Sequence, residues 1–369
     1  YGFGPNGNLV YGIRETLLGS DKLTWEKSYK TNIGLEMMLW GKLNLTLDYY
    51  WERRKDILIQ RSSLPSMAGF DASIYANMGE MDNKGVDANL EYQTRIGNKV
   101  GLRLFGNLTY SKNKIVFRDE PAMQYAYQKS EGTRYGEFYG YIAEGYFQSE
   151  EEIKKSPRQM RELAPGDIKY KDLNDGGVID ANDQCYLGKS WFPSWSYGMG
   201  FNINYHNFDL ALFFQGVSDV SIMANGGSID TGNGDWGASG VGIVPFTGMG
   251  LNPSNVITKA LDRWTADNPR ADAWYPRMTA NATTNDNNYV NSTHWLKDGS
   301  YLRLKQASLG YTLENKKLMD KGIEYLYFYL SGQNLLTFSK FKLWDPELGS
   351  NGAKYPLSRM VTLGMRVSF

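Results

Sequence analysis

The stretch Asp172 to Cys185, DLNDGGVIDANDQC, gathers oxygen-bearing side chains at a spacing that could hold a cation. A calcium loop takes oxygen ligands from positions 1, 3, 5, 7, 9 and 12, with a glycine at 6 for the sharp turn. Asp172, Asn174, Gly176, Val178, Asp180 and Asp183 stand at those positions, and Gly177 stands at the turn. Val178 would contribute its carbonyl and Ile179 would be the apolar anchor. Position 5 departs from the pattern, because the acid stands one place early, at Asp175. Two readings stay open: a loop holding Ca²⁺ or Mg²⁺, or a solvated turn, since Asp, Asn and Gly make turns without metal. The metal reading expects a chelator to loosen the loop near Asp172.

Tryptophans supply a second chemistry. Trp191, Trp195, Trp236 and Trp274 lie in or beside long polar stretches, and Trp236, inside DTGNGDWGASG, is the most loop-like. Flat aromatic faces stack on sugar rings and on peptide side chains, which makes these four candidate substrate contacts. The competing reading places such rings in interfacial girdles or loop cores. Enzyme chemistry finds little support. The pair Asp180 and Asp183 is covered by the metal or turn reading, and His206 sits on a two-residue turn. GASGVGIVPFTGMG does not join a strand to a helix, so it is no phosphate loop. One cysteine, Cys185, and two histidines exclude a disulfide framework and make a His/Cys zinc site improbable. With 40 basic and 40 acidic residues the net charge is zero, which points to no nucleic-acid partner.

The elements that would position these residues are strands. Apolar residues alternate in IGLEMML (Ile33, Leu35, Met37, Leu39), then at Leu43, Leu45, Leu47, Tyr49 and Trp51 after a turn at Gly41-Lys42. They alternate again at Val86 to Tyr92, Leu102 to Tyr110, Met199 to Tyr205, and Phe208 to Phe214. SYLRLKQASLGYTL breaks register near Gln306-Ala307, where a bulge is expected; EYLYFYLSGQNLL is aromatic on both faces. The last segment, MVTLGMRVSF, puts Val361, Leu363, Met365, Val367 and Phe369 on one side. Period-two alternation marks strands with one apolar face. No apolar run is long enough for a transmembrane helix, but transmembrane barrels give only a weak hydropathy signal. Short joints (Gly41-Lys42, Arg95 to Lys99, His206-Asn207, Glu314 to Gly322) alternate with long stretches (53–82, 112–194, 216–299, 338–359). Short turns at one end and long loops at the other describe an outer-membrane barrel, with 112–194 and 216–299 as extracellular loops. Counting a first strand near Val10 gives about ten crossing strands.

Several segments resemble the SusC/RagA-like family of TonB-dependent outer-membrane transporters. They are LTWEKSYKTNIGLE, the strand and return DYYWERRKDILIQ…NMGEMDNKGVDANL, RYGEFYGYIAEGYFQSEEEI, PGDIKYKDLNDGGVIDANDQCYLGKSWFPSWSYGMGFNINYHNFDLALFFQG, and the closing strands from DGSYLRLKQASLGYTL to YPLSRMVTLGMRVSF. They occur in the family's order from about Leu23 to Phe369. The resemblance implies an all-β fold, the C-terminal part of a plugged transmembrane antiparallel barrel of about 22 strands. It implies TonB-driven import of oligosaccharides or oligopeptides, a SusD-like surface lipoprotein as lid, and a possible dimer of barrel–lid pairs. It places the chain in lipid of the bacterial outer membrane, without enzymatic activity. It makes Phe369, with Val367 and Met365, the assembly signal of a closing strand. The signal peptide, the plug with its TonB-contacting segment and about half the strands of such a barrel are missing, so residues 1–369 read as the C-terminal portion of a longer protein. Alternatives are a passive porin, a small structural barrel, or a β-rich carbohydrate-binding module.

Overall fold

The computed structural model describes the chain apart from residues 1, 4–7, 10–16, 20–21, 64–72, 98, 226–256, 279–286 and 353. Nine long strands follow the alternating segments: β1 (Lys27–Leu39), β2 (Leu43–Gln60), β3 (Ser73–Ile96), β4 (Val100–Phe117), β5 (Trp195–Tyr205), β6 (Phe208–Ser218), β7 (Tyr301–Leu313), β8 (Tyr325–Ser339) and β9 (Met360–Ser368). Each pairs antiparallel with the next, giving one up-and-down sheet in sequence order. The short segment Leu17–Leu18 runs parallel beside Ser73–Ile74. The strand expected near Val10 lies outside the described residues. No described helix is long and apolar enough to cross a membrane.

The register explains the alternation. Leu35, Leu47, Ala88, Leu108, Tyr197, Gly216, Leu302 and Phe338 are paired in succession across the sheet. The next inward-facing row reads Glu36, Thr46, Asn89, Asn107, Gly198, Gln215, Arg303 and Thr337. One face is therefore apolar from edge to edge and the other polar, because paired residues share a face and neighbours along a strand alternate. Large apolar side chains on the first face remain in contact with solvent, among them Ile33, Leu47, Leu104, Leu330 and Leu363. Register also settles β8: Phe328 and Leu330 join the apolar face, and Tyr327, Tyr329 and Gln333 the polar one.

The bulge falls at Lys305. Phe213 pairs with Gln306 and Phe214 with Leu304, which leaves Lys305 over. At one end the connections are tight. Trp40 and Gly41 take left-handed φ values of 52° and 64°, and His206 takes 51°. At the other end the strands outrun expectation. β2 continues to Gln60 and β3 begins at Ser73, so most of 53–82 is strand, and β4 runs on to Phe117. There the sheet is held by cross-strand charges rather than by alternation: Arg53 Nε lies 2.8 Å from Asp82 Oδ1 and Lys55 Nζ 3.7 Å from Glu80 Oε1. That is why periodicity did not reveal it.

The hydrophobic core sits beyond the sheet's end, in a roof built by the two long connections. Short ladders form within the first connection, Glu137–Gly140 with Cys185–Ser190 and Ala143–Tyr146 with Ile168–Tyr170. In the second, Ser221–Met223 pairs with Leu296–Asp298. The two connections are stitched together where Tyr141 N–H donates to Asn291 O (2.9 Å) and Thr293 N–H to Tyr141 O (3.0 Å). Phe138, Tyr141, Tyr146, Ile168 and Tyr170 from the first pack against Trp264, Tyr275 and Trp295 from the second.

Candidate functional site

The polar face of the sheet and the roof above it form the candidate site. On β3 to β6 the inner face carries a shallow groove of about 620 Å³ lined by Asp87, Asn89, Asn107, Thr109, Ser196 and Gln215 among others. Thr109 Oγ1 donates to Asp87 Oδ1 at 2.7 Å. Such a wall offers amide, hydroxyl and carboxylate groups to a passing polar ligand.

The roof is rigidified by a buried polar knot. Asp167 is fully buried; Arg277 Nη2 donates to its Oδ2 at 2.9 Å, and Asn288 Nδ2 to its Oδ1 at 2.8 Å. Asn287 and Gln159 complete the knot, Gln159 Nε2 donating to Asn287 Oδ1 at 2.9 Å. Beside it, burial pushes His294 down to about 4, reinforced by the nearby Lys297 ammonium. Lys297 is itself pushed down to about 8, chiefly by burial and then by Lys259.

A third connection, between β8 and β9, is strapped to the inner wall. Arg303, on the polar row of β7, is 1% exposed, and its Nη2 donates to Asp345 Oδ1 at 2.6 Å. Tyr301 Oη donates to Glu347 Oε1 at 2.8 Å. Sequence reading missed this strap. Its one signal was an arginine at a polar position of SYLRLKQ, indistinguishable there from a water-facing one.

The loop of Asp172 to Asp183 is ordered by its own backbone. Asp172 accepts from Gly176 N–H (3.1 Å) and Gly177 N–H (2.8 Å), and Asn174 Oδ1 also accepts from Gly176 N–H (2.7 Å). Burial alone would raise the Asp172 carboxyl, but these N–H groups hold it below its ordinary value. Asp180 accepts from Asn182 N–H at 2.7 Å. Asp183 is fully buried, and its oxygens take Leu173 N–H (2.8 Å) and Asp180 N–H (2.9 Å). Asp175 takes a left-handed φ of 56° and Val178 is 36% exposed. Among the described residues no three His, Cys, Asp or Glu side chains converge on a point that could hold a metal. Of the donor set Asp172, Asn174, Asp175, Val178, Asp180 and Asp183, side-chain oxygens of Asp172, Asn174, Asp180 and Asp183 accept from backbone N–H groups of the same loop.

The three candidate tryptophans among the described residues, Trp191, Trp195 and Trp274, lie in different surroundings. Trp195 lies on the apolar outer face, its ring 4.5 Å from that of Tyr110. The alternation that turns Trp195 outward places it off the polar wall. Trp191 stacks on Phe192 at 4.1 Å, and Phe192 on Tyr135 at 5.7 Å, at the rim. Trp274 is half-buried in the roof, 5.4 Å from Trp295. Trp236 lies outside the described residues. Met365 and Val367 face outward on β9, and Phe369, beyond its end, is 91% exposed.

A sheet with one continuous apolar face, aromatic rings at both margins, short turns at one end and a folded roof at the other is a barrel wall in lipid. The sequence matches the TonB dependent receptor-like β-barrel family over residues 1–335. The chain belongs to that family. Family membership places the strands in the bacterial outer membrane and the chain among receptors rather than enzymes. TonB-dependent receptor P3 of Formosa agariphila is 28% identical over 98% of this chain and 36% of its own length. TonB-dependent receptor SusC of Bacteroides thetaiotaomicron is 23% identical over 99% of this chain and 34% of its own length. The chain thus spans about a third of the curated relatives it matches. Among solved structures, the RagAB peptide importer in the open-open state matches with a TM-score of 0.70 at 23% identity, over 96% of this chain and 36% of that one. In its closed-closed state the TM-score is 0.71 at 22% identity, over 100% and 38%. Those likenesses show a shared fold.

Proposed function

We propose that this chain supplies part of the barrel wall and the extracellular roof of a TonB-dependent importer that carries oligosaccharides or oligopeptides across the outer membrane. The observation that carries the proposal is the polar inner face, continuous from β1 to β9 and roofed by an independently cored pair of loops. A simple pore needs a polar wall, but it does not need a roof with its own hydrophobic core and buried Asp167–Arg277 pair. Such a roof suits a transporter that holds cargo before moving it. In this reading a SusD-like surface lipoprotein covers the roof, and the TonB complex acts on a region outside residues 1–369. The relatives named SusC and RagAB support that partnership.

The test is uptake by cells that carry the full-length protein as their sole route for labelled oligomers. Import should stop when the proton-motive force is collapsed or TonB is removed, and a lipoprotein should copurify in mild detergent. Uptake that persists without TonB, with steady conductance in planar bilayers, would make the protein a passive pore.

A further inference from the structure

The geometry points to a binding site in the roof for a carboxylate-bearing peptide, in a lysine-lined cavity between the second long connection and the strapped third one. This inference rests on the import reading and names one cargo chemistry for it. The cavity holds about 750 Å³, within the range of ligand pockets, and is lined by Lys259, Lys297, Lys340 and Lys342 together with Trp274 and Phe341.

Charge decides what it takes. Lys259 Nζ is paired with Asp262 Oδ2 at 2.7 Å, and Lys340 Nζ lies 3.7 Å from Asp298 Oδ2. Among the described residues neither Lys297 nor Lys342 has a carboxylate partner. Lys297 Nζ donates to the His294 carbonyl at 2.6 Å and sits 5.2 Å from the Trp274 ring centroid. An ammonium carries three donors, so hydrogen-bonding capacity is left at the base of the cavity. Like charges facing one another across a partly dry space destabilise each other, and an anion between them reverses the sign of that interaction. Consistent with this, Lys297 is held well below the usual lysine range by burial and by Lys259. Lys340, its side chain 87% exposed, marks the mouth.

The remaining lining selects the carrier of the anion. Among the described lining residues, Thr258 and the indole N–H of Trp274 are the neutral hydrogen-bonding groups; the rest of the non-lysine wall is apolar apart from Asp298. Sugar rings present many hydroxyls that call for several amide and carboxylate partners; the inner wall offers such a set in Asp87, Asn89, Asn107 and Gln215, whereas among the described residues this cavity offers the Asp298 carboxylate and no amide side chain. An acidic residue beside an apolar one, as in a peptide, satisfies lysines and apolar walls together.

The test is calorimetric titration of the full-length transporter, with any copurifying lipoprotein, in detergent. The probes are the amidated hexapeptide Ala-Glu-Ala-Leu-Glu-Ala, its glutamine counterpart, and trigalacturonate. The acidic peptide should bind about tenfold more tightly than the glutamine peptide, as a charge-assisted hydrogen bond warrants. Lys342→Gln, at an exposed position, and Lys297→Met should each remove most of that preference, while Lys321→Gln, at the opposite end of the barrel, should leave it intact. Equal binding of the two peptides, or indifference to both pocket substitutions, would overturn the site. Lysine-dependent binding of trigalacturonate alone would overturn the peptide assignment. The two readings fail separately: TonB-dependent uptake of neutral oligomers without acidic-peptide binding defeats only the site. Acidic-peptide binding without any TonB-dependent uptake defeats only the import reading.

Discussion

A charge placed on the apolar face at mid-depth should block assembly, and Leu104→Arg is the position to use. Leu104 pairs with Tyr92 and Phe201 on the outward face of β4. Two aromatic rows bound that face, one through Tyr49, Tyr110 and Trp195, the other through Tyr205, Phe208, Tyr311 and Phe328. Along β5 they stand at its two ends, Trp195 and Tyr205. At ~3.3 Å per residue that is ~33 Å of strand, or ~25 Å of height at the usual tilt of ~40°, the thickness of an outer-membrane apolar band. Phe201 lies ~15 Å below the first row on the same scale, so Leu104 is within ~3 Å of the midplane. Arginine at that depth costs ~2–4 kcal/mol, roughly a 30- to 700-fold change in the folded-to-unfolded ratio. Ala211→Arg, on the polar face of β6 near the same depth, should cost less than ~1 kcal/mol because water or polar side chains meet the charge. The assay is the fraction of full-length protein that becomes protease-resistant in outer membranes, followed by urea unfolding in lipid. Equal behaviour of Leu104→Arg and wild type would refute the facing derived from register, as would greater damage from Ala211→Arg.

The strap gives a second prediction. Asp345→Asn takes from the buried Arg303 guanidinium the nearer of its two carboxylates, leaving Glu347 at 3.6 Å from Nε, which should cost about 1.5–3 kcal/mol locally and open residues 340–359 to limited proteolysis; an unchanged digest would contradict it. Roof stability should fall with acid. His294 is held neutral in the folded state at about 4 while the unfolded chain takes up a proton near 6.5, so stability is complete above pH 6.5 and declines toward pH 4 by up to about 3 kcal/mol. Hydrogen exchange of roof amides at pH 7 and pH 5 measures it, and equal protection would refute it. Asp183→Ala removes acceptors from Leu173 and Asp180 N–H groups and should destabilise the 172–183 loop by about 1–3 kcal/mol, read as faster cleavage there. Because those N–H groups already hold the loop, a chelator should leave cleavage near Asp172 unchanged; slower cleavage on adding Ca²⁺ would show the carboxylates regrouping around an ion.

Lipid made the membrane part of the fold legible. A strand with hydrocarbon on one side and a polar lumen on the other must alternate, so Leu102 to Tyr110 and Met199 to Tyr205 declared both element and face. Above the band that constraint ends. Arg53, Arg54, Lys55 and Asp56 carry no period, and it takes the backbone ladder and the cross-strand ion pairs of Arg53, Lys55 and Asp56 to show that they extend β2. The roof was the least legible part. Its core joins Tyr146 to Trp295 and Asp167 to Arg277 across more than a hundred residues, and no local pattern reports such a meeting. The lysine cavity was hidden for the same reason, with Lys259 and Lys297 far apart in the second connection and Lys342 drawn from the third. The facing of Trp195 came only with the register, because composition counts a ring without saying which way it points.

The sheet's two edges carry the last step. β1 and β9 each pair on one side only among the described residues, and apolar side chains such as Ile33 and Leu363 line both. In hydrocarbon an unpaired strand edge leaves a row of N–H and C=O groups without partners, at several kcal/mol for each group. Nine alternating strands also leave β1 and β9 running the same way, so pairing them directly would set a parallel ladder in an otherwise antiparallel sheet. Even strand numbers are the rule for bacterial barrels of this kind. The physical demand is therefore for further strands at both edges. The chain spans about a third of the length of the relatives it matches, so most of their sequence lies outside the matched part. In the importer proposed above, the apolar face, the polar wall and the roof described here would form one sector of a closed cylinder.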